Sequence, residues 1–546
     1  MLQSECNNSH GSSIELSEKR KNARAKENIM EKEFTRTICK EAVYLDCSCE
    51  HTLPDYQGEV KKILSHQARV VPAGKFVSGG EVEYAGSVKF SVTYLDADNK
   101  LTCSEFSTDY DEKFAIDGER YIDSSVDARI ASYTVRPSGP RKFSAKATLV
   151  CRPTVLEKDV LCIAGGAVSD GEVAQKLERE ISVKRSMWGR GGEVEISDEL
   201  GRIADVTVDD IEILAISGEV KVNEARAAVG GVIAIGTVEL VAIVSTPDQP
   251  AFAIKKSFPF EQFIAIDEAQ TDMSATAGGE ISSTASTLNV EEDGTVSVGV
   301  SAIVEYTARV DSNYPFTVVK DAYLTTAQTE NSYTDFAYEH FVANKYAPVS
   351  LSAEASLIDA GCEEAHSIVT SAHTVKITEL TTHYDRVSIV GEVGFSGVAC
   401  QINEDGNVGY CNYKFTSPFS ESIKLDTPVP EGARVECSLS GASSSVTLDA
   451  TDVFGKCEAS LCISVSADFV ERVLSSSEKV GDIADAPNGA VVTVCFPDDG
   501  DTLWDIAKRY HTTVRDIAVN NSLTEETVAS ASSQKGLRGI KKLLVM

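Results

Sequence analysis

One stretch occurs three times in this chain, and it limits what the chain can fold into. It reads VEYAGSVKF from Val82, VIAIGTVEL from Val232 and VSIVGEVGF from Val387. Each copy has the pattern of a strand with a glycine at its centre: Gly86, Gly236 and Gly391. A second octet follows each one: YDEKFAID from Tyr110, FEQFIAID from Phe260 and FSESIKLD from Phe419. From the central glycine to the closing Asp117, Asp267 or Asp426 is 31, 31 and 35 residues. Two patterns that recur in the same order at near-constant spacing mean one domain used three times.

The first copy shows the strand physics most clearly. Val82, Tyr84, Val88, Phe90, Val92 and Tyr94 fall on one face, and Glu83, Ser87, Lys89, Ser91 and Thr93 on the other. Period-two alternation predicts a strand with one buried side. The second copy is apolar on both faces, so it is expected to be more enclosed. A glycine in mid-strand weakens pairing unless a bulge or a close backbone neighbour requires it. Its presence in all three copies predicts a structural need, not phosphate binding. Each unit closes with a further strand pair. The turns RPSGP and EEDG mark the first two of these hairpins. The expected fold is mainly β: three tandem β-sandwich-like repeats, then a small βααβ module.

The chain in order gives these boundaries. Residues 1–35 read as a disordered tail ending in a marginal helix over Glu18–Phe34. The repeats occupy 36–175, 176–325 and 326–475, a polar linker covers 476–490, and a last module fills 491–546. Asp55, Asp198 and Asp359 precede the signature strands at like places and are expected to form turns. The net charge is -32, and the last module contributes nothing to it, with 7 basic and 7 acidic residues from Val491 onward. The remaining 44 basic and 76 acidic residues give the repeats and tail a surface that repels nucleic acid and anionic lipid. No apolar run reaches the roughly 18 residues of a membrane span. The first residues lack the apolar core of a signal peptide. A cytoplasmic start is therefore expected, with the fourteen cysteines as free thiols.

The last module opens with the short strand VVTVCF and continues GDTLWDIAKRY. Thr502 and Asp505 make a capping box, and Leu503, Ile506, Ala507 and Tyr510 mark one helical face. Thr513 and Asp516 repeat the device, Asn520 and Asn521 follow, and KKLLV closes as a strand. These residues resemble a LysM domain. The resemblance implies binding of N-acetylglucosamine glycans such as peptidoglycan, through the loop after the first strand and the loop after the second helix. Here those are Gly500, Asp501, Thr502 and Leu503, with Asn520 and Asn521. Two departures touch that groove: an acidic approach at Asp498 and Asp499, and a long Ser/Ala-rich segment between Asn521 and Gly539.

The glycine-centred strand and aromatic octet are similar to the SPOCS domain of spore-forming Firmicutes. Tandem SPOCS units before a terminal LysM are the layout of clostridial spore-coat morphogenetic proteins that partner the coat basement-layer ATPase. The resemblance implies a mother-cell protein at the forespore surface, whose LysM engages that ATPase, or else peptidoglycan glycan. It implies no cofactor.

Catalytic chemistry finds little support. CSCEH (Cys47–His51) and CEEAH (Cys362–His366) are half zinc sites without the second ligand pair. WGRGG (Trp188–Gly192) lacks the lysine and the strand-loop-helix setting of a phosphate loop. With eight histidines and no HExxH motif, neither a catalytic nor a metal residue is assigned. The expected function is a non-enzymatic scaffold in spore-coat assembly. The alternatives are a peptidoglycan-binding protein of cortex or wall, and a LysM-targeted wall hydrolase.

Overall fold

The computed structural model describes residues 29–545, apart from 165, 166, 169–171, 248, 403–406, 484–491, 534–536 and 538. The expected tail thus lies outside the described residues up to position 28. The mainly β prediction holds. The first repeat contains β1 (Ile29–Cys39), β2 (Val43–Thr52), β3 (Val60–Ser78), β4 (Glu81–Asp96), β5 (Leu101–Ala115), β6 (Tyr121–Gly139) and β7 (Lys142–Ala164). Two short strands, β8 (Ala167–Val168) and β9 (Glu172–Val173), lead to the second repeat. That repeat holds β10 (Gln175–Ile203), β11 (Glu212–Ala228), β12 (Gly231–Thr246), β13 (Gln249–Ala265), β14 (Ser274–Val290) and β15 (Val296–Tyr323). The third holds β16 (Ala327–Ser356), β17 (Ala365–His383), β18 (Arg386–Ile402), β19 (Val408–Lys424), β20 (Arg434–Asp449) and β21 (Asp452–Asp482).

One plan recurs. A meander of three antiparallel strands, β3-β4-β5, β11-β12-β13 or β17-β18-β19, forms one sheet. The second sheet has the last long strand at its centre: β10-β15-β14 and β16-β21-β20. In the first repeat the outer strand is broken, so β1 and β2 both pair with β7, and β6 takes its other edge. The alternation read from the sequence sets the layers. Val88, Phe90, Val92 and Tyr94 on β4 are buried against Phe143, Ala145, Ala147 and Leu149 on β7. On β12, Val232, Ala234, Val238, Leu240 and Val244 share one core with Val298, Val300, Ala302 and Val304 of β15.

The three glycines have a common cause. Each lies directly opposite the aromatic that opens its octet: Gly86 faces Tyr110, Gly236 faces Phe260 and Gly391 faces Phe419. On its other side the preceding strand slips register beside the glycine, between Pro72 and Gly74, Val222 and Glu224, or Ile377 and Glu379. The bulge pushes a carbonyl inward. A Cβ at Gly86 would stand 2.7 Å from Val71 O, and one at Gly236 or Gly391 would overlap Lys221 O or Lys376 O. The ring across the strand covers the space a side chain would have used.

The long strands outrun their sandwiches. Their far ends form three two-stranded antiparallel ribbons, β1·β7, β10·β15 and β16·β21, that converge into one stalk. Phe34, Leu161, Ile181, Val183, Phe316, Val318, Phe336 and Val473 are its core. The rings of Phe34, Phe316 and Phe336 lie 5.0 to 6.2 Å apart. A second junction joins the sandwiches themselves: Leu64 and Leu101 of the first, Ile243 and Ala251 of the second, Val369, Val398 and Cys400 of the third.

Four readings need correction. Residues 29–34 are not the end of a helix but the start of β1, whose main chain runs in register with β7 from Ile29↔Ala164 to Cys39↔Thr154; a ladder to a distant strand overrides a marginal local preference. Asp198 sits within β10 rather than in a turn, and its carboxylate meets Lys256 Nζ at 3.1 Å. The stretch read as a linker from 476 is strand as far as Asp482. Cysteine usage also departs: Cys362 and Cys411 form a disulfide with Cα atoms 5.7 Å apart, while ten other described cysteines are free.

Candidate functional site

The terminal module is built from β22 (Thr493–Cys495), α1 (Leu503–Arg509), α2 (Val514–Asn520), α3 (Glu525–Ala529) and β23 (Leu543–Val545). The strands pair antiparallel, Val494 opposite Leu544. The short helix α3, in the Ser/Ala-rich segment, adds to the expected strand-helix-helix-strand order. Both expected caps form. Thr502 accepts from Asp505 N at 3.1 Å and Thr513 from Asp516 N at 3.0 Å, so each helix starts with one of its free amides satisfied. Leu503, Ile506, Ala507, Ile517, Leu543 and Val545 close a small core, whereas Tyr510 turns outward.

The six residues proposed for ligand binding divide by what their side chains already do. Gly500 has φ +110°, a backbone that side chains rarely adopt, and sets the turn into α1. Asp501 accepts from Asp498 N at 3.1 Å and from Arg509 Nη2 at 2.7 Å. The Arg509 bond holds its carboxyl below the usual range. Thr502 is the cap, and Leu503 is fully buried. Asn521 gives its amide to Ile517 O and Leu544 O, both at 2.8 Å, and takes Leu544 N at 2.7 Å. Its side chain thereby acts as a strand partner that ties the end of α2 to β23. Asn520 is half-buried at the end of α2. Asp498 to Gly500 and Ser522 are exposed. A ligand at these loops would therefore meet main-chain groups and Asn520 more than the other named side chains.

Residues of the same module with no place in the sequence reading make the joint to the body. Trp504 and Lys508 of α1, with His511 and Thr512 beyond it, meet the tip of the stalk at Asp321, Tyr323 and Leu324. Leu177 and Tyr323 belong to the module's own apolar cluster. The sequence carries no distinct signal for this joint: Asp321 simply follows Lys320 near the end of β15.

The half zinc sites do not mature. Cys362 is used by the disulfide. Cys47 is a buried thiol whose ionisation is pushed up by burial and by Asp46, and the His51 ring stacks on Phe106 at 4.6 Å. Among the described residues no group of three or more His, Cys, Asp or Glu is placed to hold a metal. A cleft of about 650 Å³ runs between the second and third repeats, along Asn223–Ala227, Met273 and Asn344–Tyr346. Its cations are engaged, Arg226 with Glu224 and Lys345 with Asp426.

Comparison with known families gives two matches. Residues 210–289 match the model of the SipL SPOCS domain, and residues 499–528 match the LysM domain. No curated protein and no solved structure gave a match. The first match runs from the start of β11 through β14, and so contains Gly236 and its octet. LysM is a peptidoglycan-binding domain type, the SipL SPOCS domain a sporulation type, and both are non-catalytic. No helix among the described residues is long and apolar enough to cross a membrane.

Proposed function

For a chain that joins SPOCS and LysM domains, we propose the role of a non-enzymatic adaptor in spore-coat assembly. It works in the mother-cell cytoplasm at the forespore surface, as three repeat units at 36–175, 176–325 and 326–475 with a terminal LysM. The repeats form the body, and the LysM engages a coat morphogenetic protein, the basement-layer ATPase. The observation that carries this reading is the state of the LysM loops. The side chains of Asp501, Thr502, Leu503 and Asn521 are occupied by the module's own frame. Beside them the outer face of the small sheet exposes Val494, Phe496 and Leu544. Exposed apolar side chains next to an acidic loop suit a protein surface more readily than a sugar. Binding through body and head together would gain from effective concentration.

The second reading, a glycan-binding protein of cortex or wall, draws on the LysM match itself. Purified full-length chain mixed with the ATPase and with peptidoglycan sacculi separates the two. The adaptor reading expects capture by the ATPase that chitin oligomers do not displace. Retention on sacculi that those oligomers abolish, with no capture by the ATPase, would contradict it. Ile506→Asp, at a fully buried position, should abolish capture while leaving the main melting transition of the repeats in place.

A further inference from the structure

The LysM head is seated on the stalk, and one carboxylate lies at the centre of the seat. Asp321 accepts from Trp504 Nε1 at 2.8 Å and from Lys508 Nζ at 2.7 and 2.8 Å. From the body, Asn331 Nδ2 and Tyr333 OH reach the same carboxylate at 2.8 and 3.0 Å. The two donors on β16 orient the group, and the two on α1 bind it. Around this centre the Tyr323 hydroxyl donates to Thr512 O at 2.7 Å, and its ring meets Trp504 edge-on at 5.0 Å. His511 Nδ1 reaches the body as well, at 3.2 Å from Leu324 O. The joint uses α1 and the turn after it, whereas Asp498 to Gly500 and Ser522 stay exposed.

We propose that Asp321, a residue of the second repeat, is a positioning residue for the LysM head: it latches α1 to the stalk so that the recognition loops are presented in one fixed bearing. A half-buried carboxylate with four side-chain donors is strongly directional. Removing Lys508 leaves a half-buried carboxylate without its counter-charge, and removing Asp321 takes the acceptor from both α1 donors, so the latch is lost as a unit. The inference depends on the adaptor reading only in taking those loops as the binding surface.

Trp504 is its own reporter. The chain has two tryptophans, so Trp188→Phe leaves Trp504 as the single indole in the full-length protein. In that background Asp321→Ala and Lys508→Ala should each lower the docked fraction relative to undocked by roughly tenfold. Acrylamide quenching of Trp504 should then rise and its emission shift to the red. The double variant should go no further than either single one, and Asp321→Asn, which keeps an acceptor for the indole, should fall between. Lys508 is partly exposed, so its variant reads the latch even where Asp321→Ala folds poorly. Unchanged quenching in both single variants, or additive effects in the double, would overturn the latch. Because the readout needs no partner, an intact latch on a chain that captures no ATPase counts against the adaptor reading alone.

Discussion

The stalk and the head joint are neighbours built by opposite means. In the stalk, Phe34, Phe316 and Phe336 bring three repeats together through ring contacts. At the head joint, a single carboxylate gathers an indole, an ammonium, an amide and a phenol. Apolar contact is non-directional and tolerant of small shifts. A half-buried carboxylate held by four fixed donors is less tolerant, because each bond requires its own distance and angle. The first kind of joint suits a permanent body, and the second suits a part whose bearing matters. Burial alone would raise the Asp321 carboxyl, but the bonds from Lys508 and Trp504 and the Lys508 charge outweigh it and hold it below its usual value. The latch therefore contributes across neutral pH and is lost only as pH falls below the ordinary carboxylate range.

This contrast can be broken most directly in the stalk. Phe336→Ala should cost about 3–5 kcal/mol, seen as a large fall in the calorimetric melting temperature of the body. Damage there should also free Trp504, because the head sits on the stalk tip, whereas Lys508→Ala should leave the body transition unmoved. A head that stays docked in Phe336→Ala would show that the two joints are independent. Next in size is the bridge that only the third repeat shows among the described residues. Cys362→Ser with Cys411→Ser, or reduction, should cost about 2–4 kcal/mol by releasing a 49-residue separation. Equal melting of reduced and oxidised protein would mean that the bridge constrains nothing.

A smaller effect sharpens the account of the sandwiches. Gly236→Ala places a Cβ against Lys221 O and should cost about 1–3 kcal/mol. Gly409→Ala, with nothing within 4 Å, is expected within about 0.5 kcal/mol of the parent. Urea titrations that rank them the other way would remove the bulge explanation for the repeated glycine. The smallest effect is electrostatic. Where the repeats meet, Glu219 of the second faces His373 Nε2 of the third at 3.5 Å, with Glu239, Lys255 and Arg69 nearby. Crowding by surrounding protein and the Glu239 charge push the Glu219 carboxyl up to about 7, and crowding does the same to Glu280, although both side chains keep an exposed face that weakens the effect. A carboxyl whose folded value is raised favours the fold below about 4.5, and that gain is lost as pH rises through about 7. Glu219→Gln with Glu280→Gln should therefore flatten the fall in melting temperature between pH 5 and pH 8. An unchanged pH profile would show that solvent screens both groups.

Local physics explains which parts were legible before the structure. The alternation on β4, the glycine opposite an aromatic, and the Thr502 and Thr513 caps are short-range patterns, and each repeats within the chain. The junctions are not. Phe34 lies in a charged, apolar-poor stretch, and only its distant partner β7 makes that stretch a strand. Phe316, Phe336, Asp321 and Trp504 meet across separations of 20 to 183 residues, and such contacts leave no periodic trace. The Cys362–Cys411 bridge was hidden for a similar reason, since fourteen scattered cysteines do not name a pair. At the candidate site the loops were legible from the LysM pattern. What their side chains already do was not, because Asn521 pairs with Leu544 only once β23 has folded beside it.

Small-angle scattering of the full-length chain tests most directly whether the three repeats and the head form one body. A single packed particle of 546 residues has a radius of gyration of roughly 24 Å, with a bell-shaped Kratky plot. The account predicts that result, with the second and third repeats fixed against the first. A radius beyond about 40 Å, with the rising Kratky tail of modules moving on linkers, would contradict it.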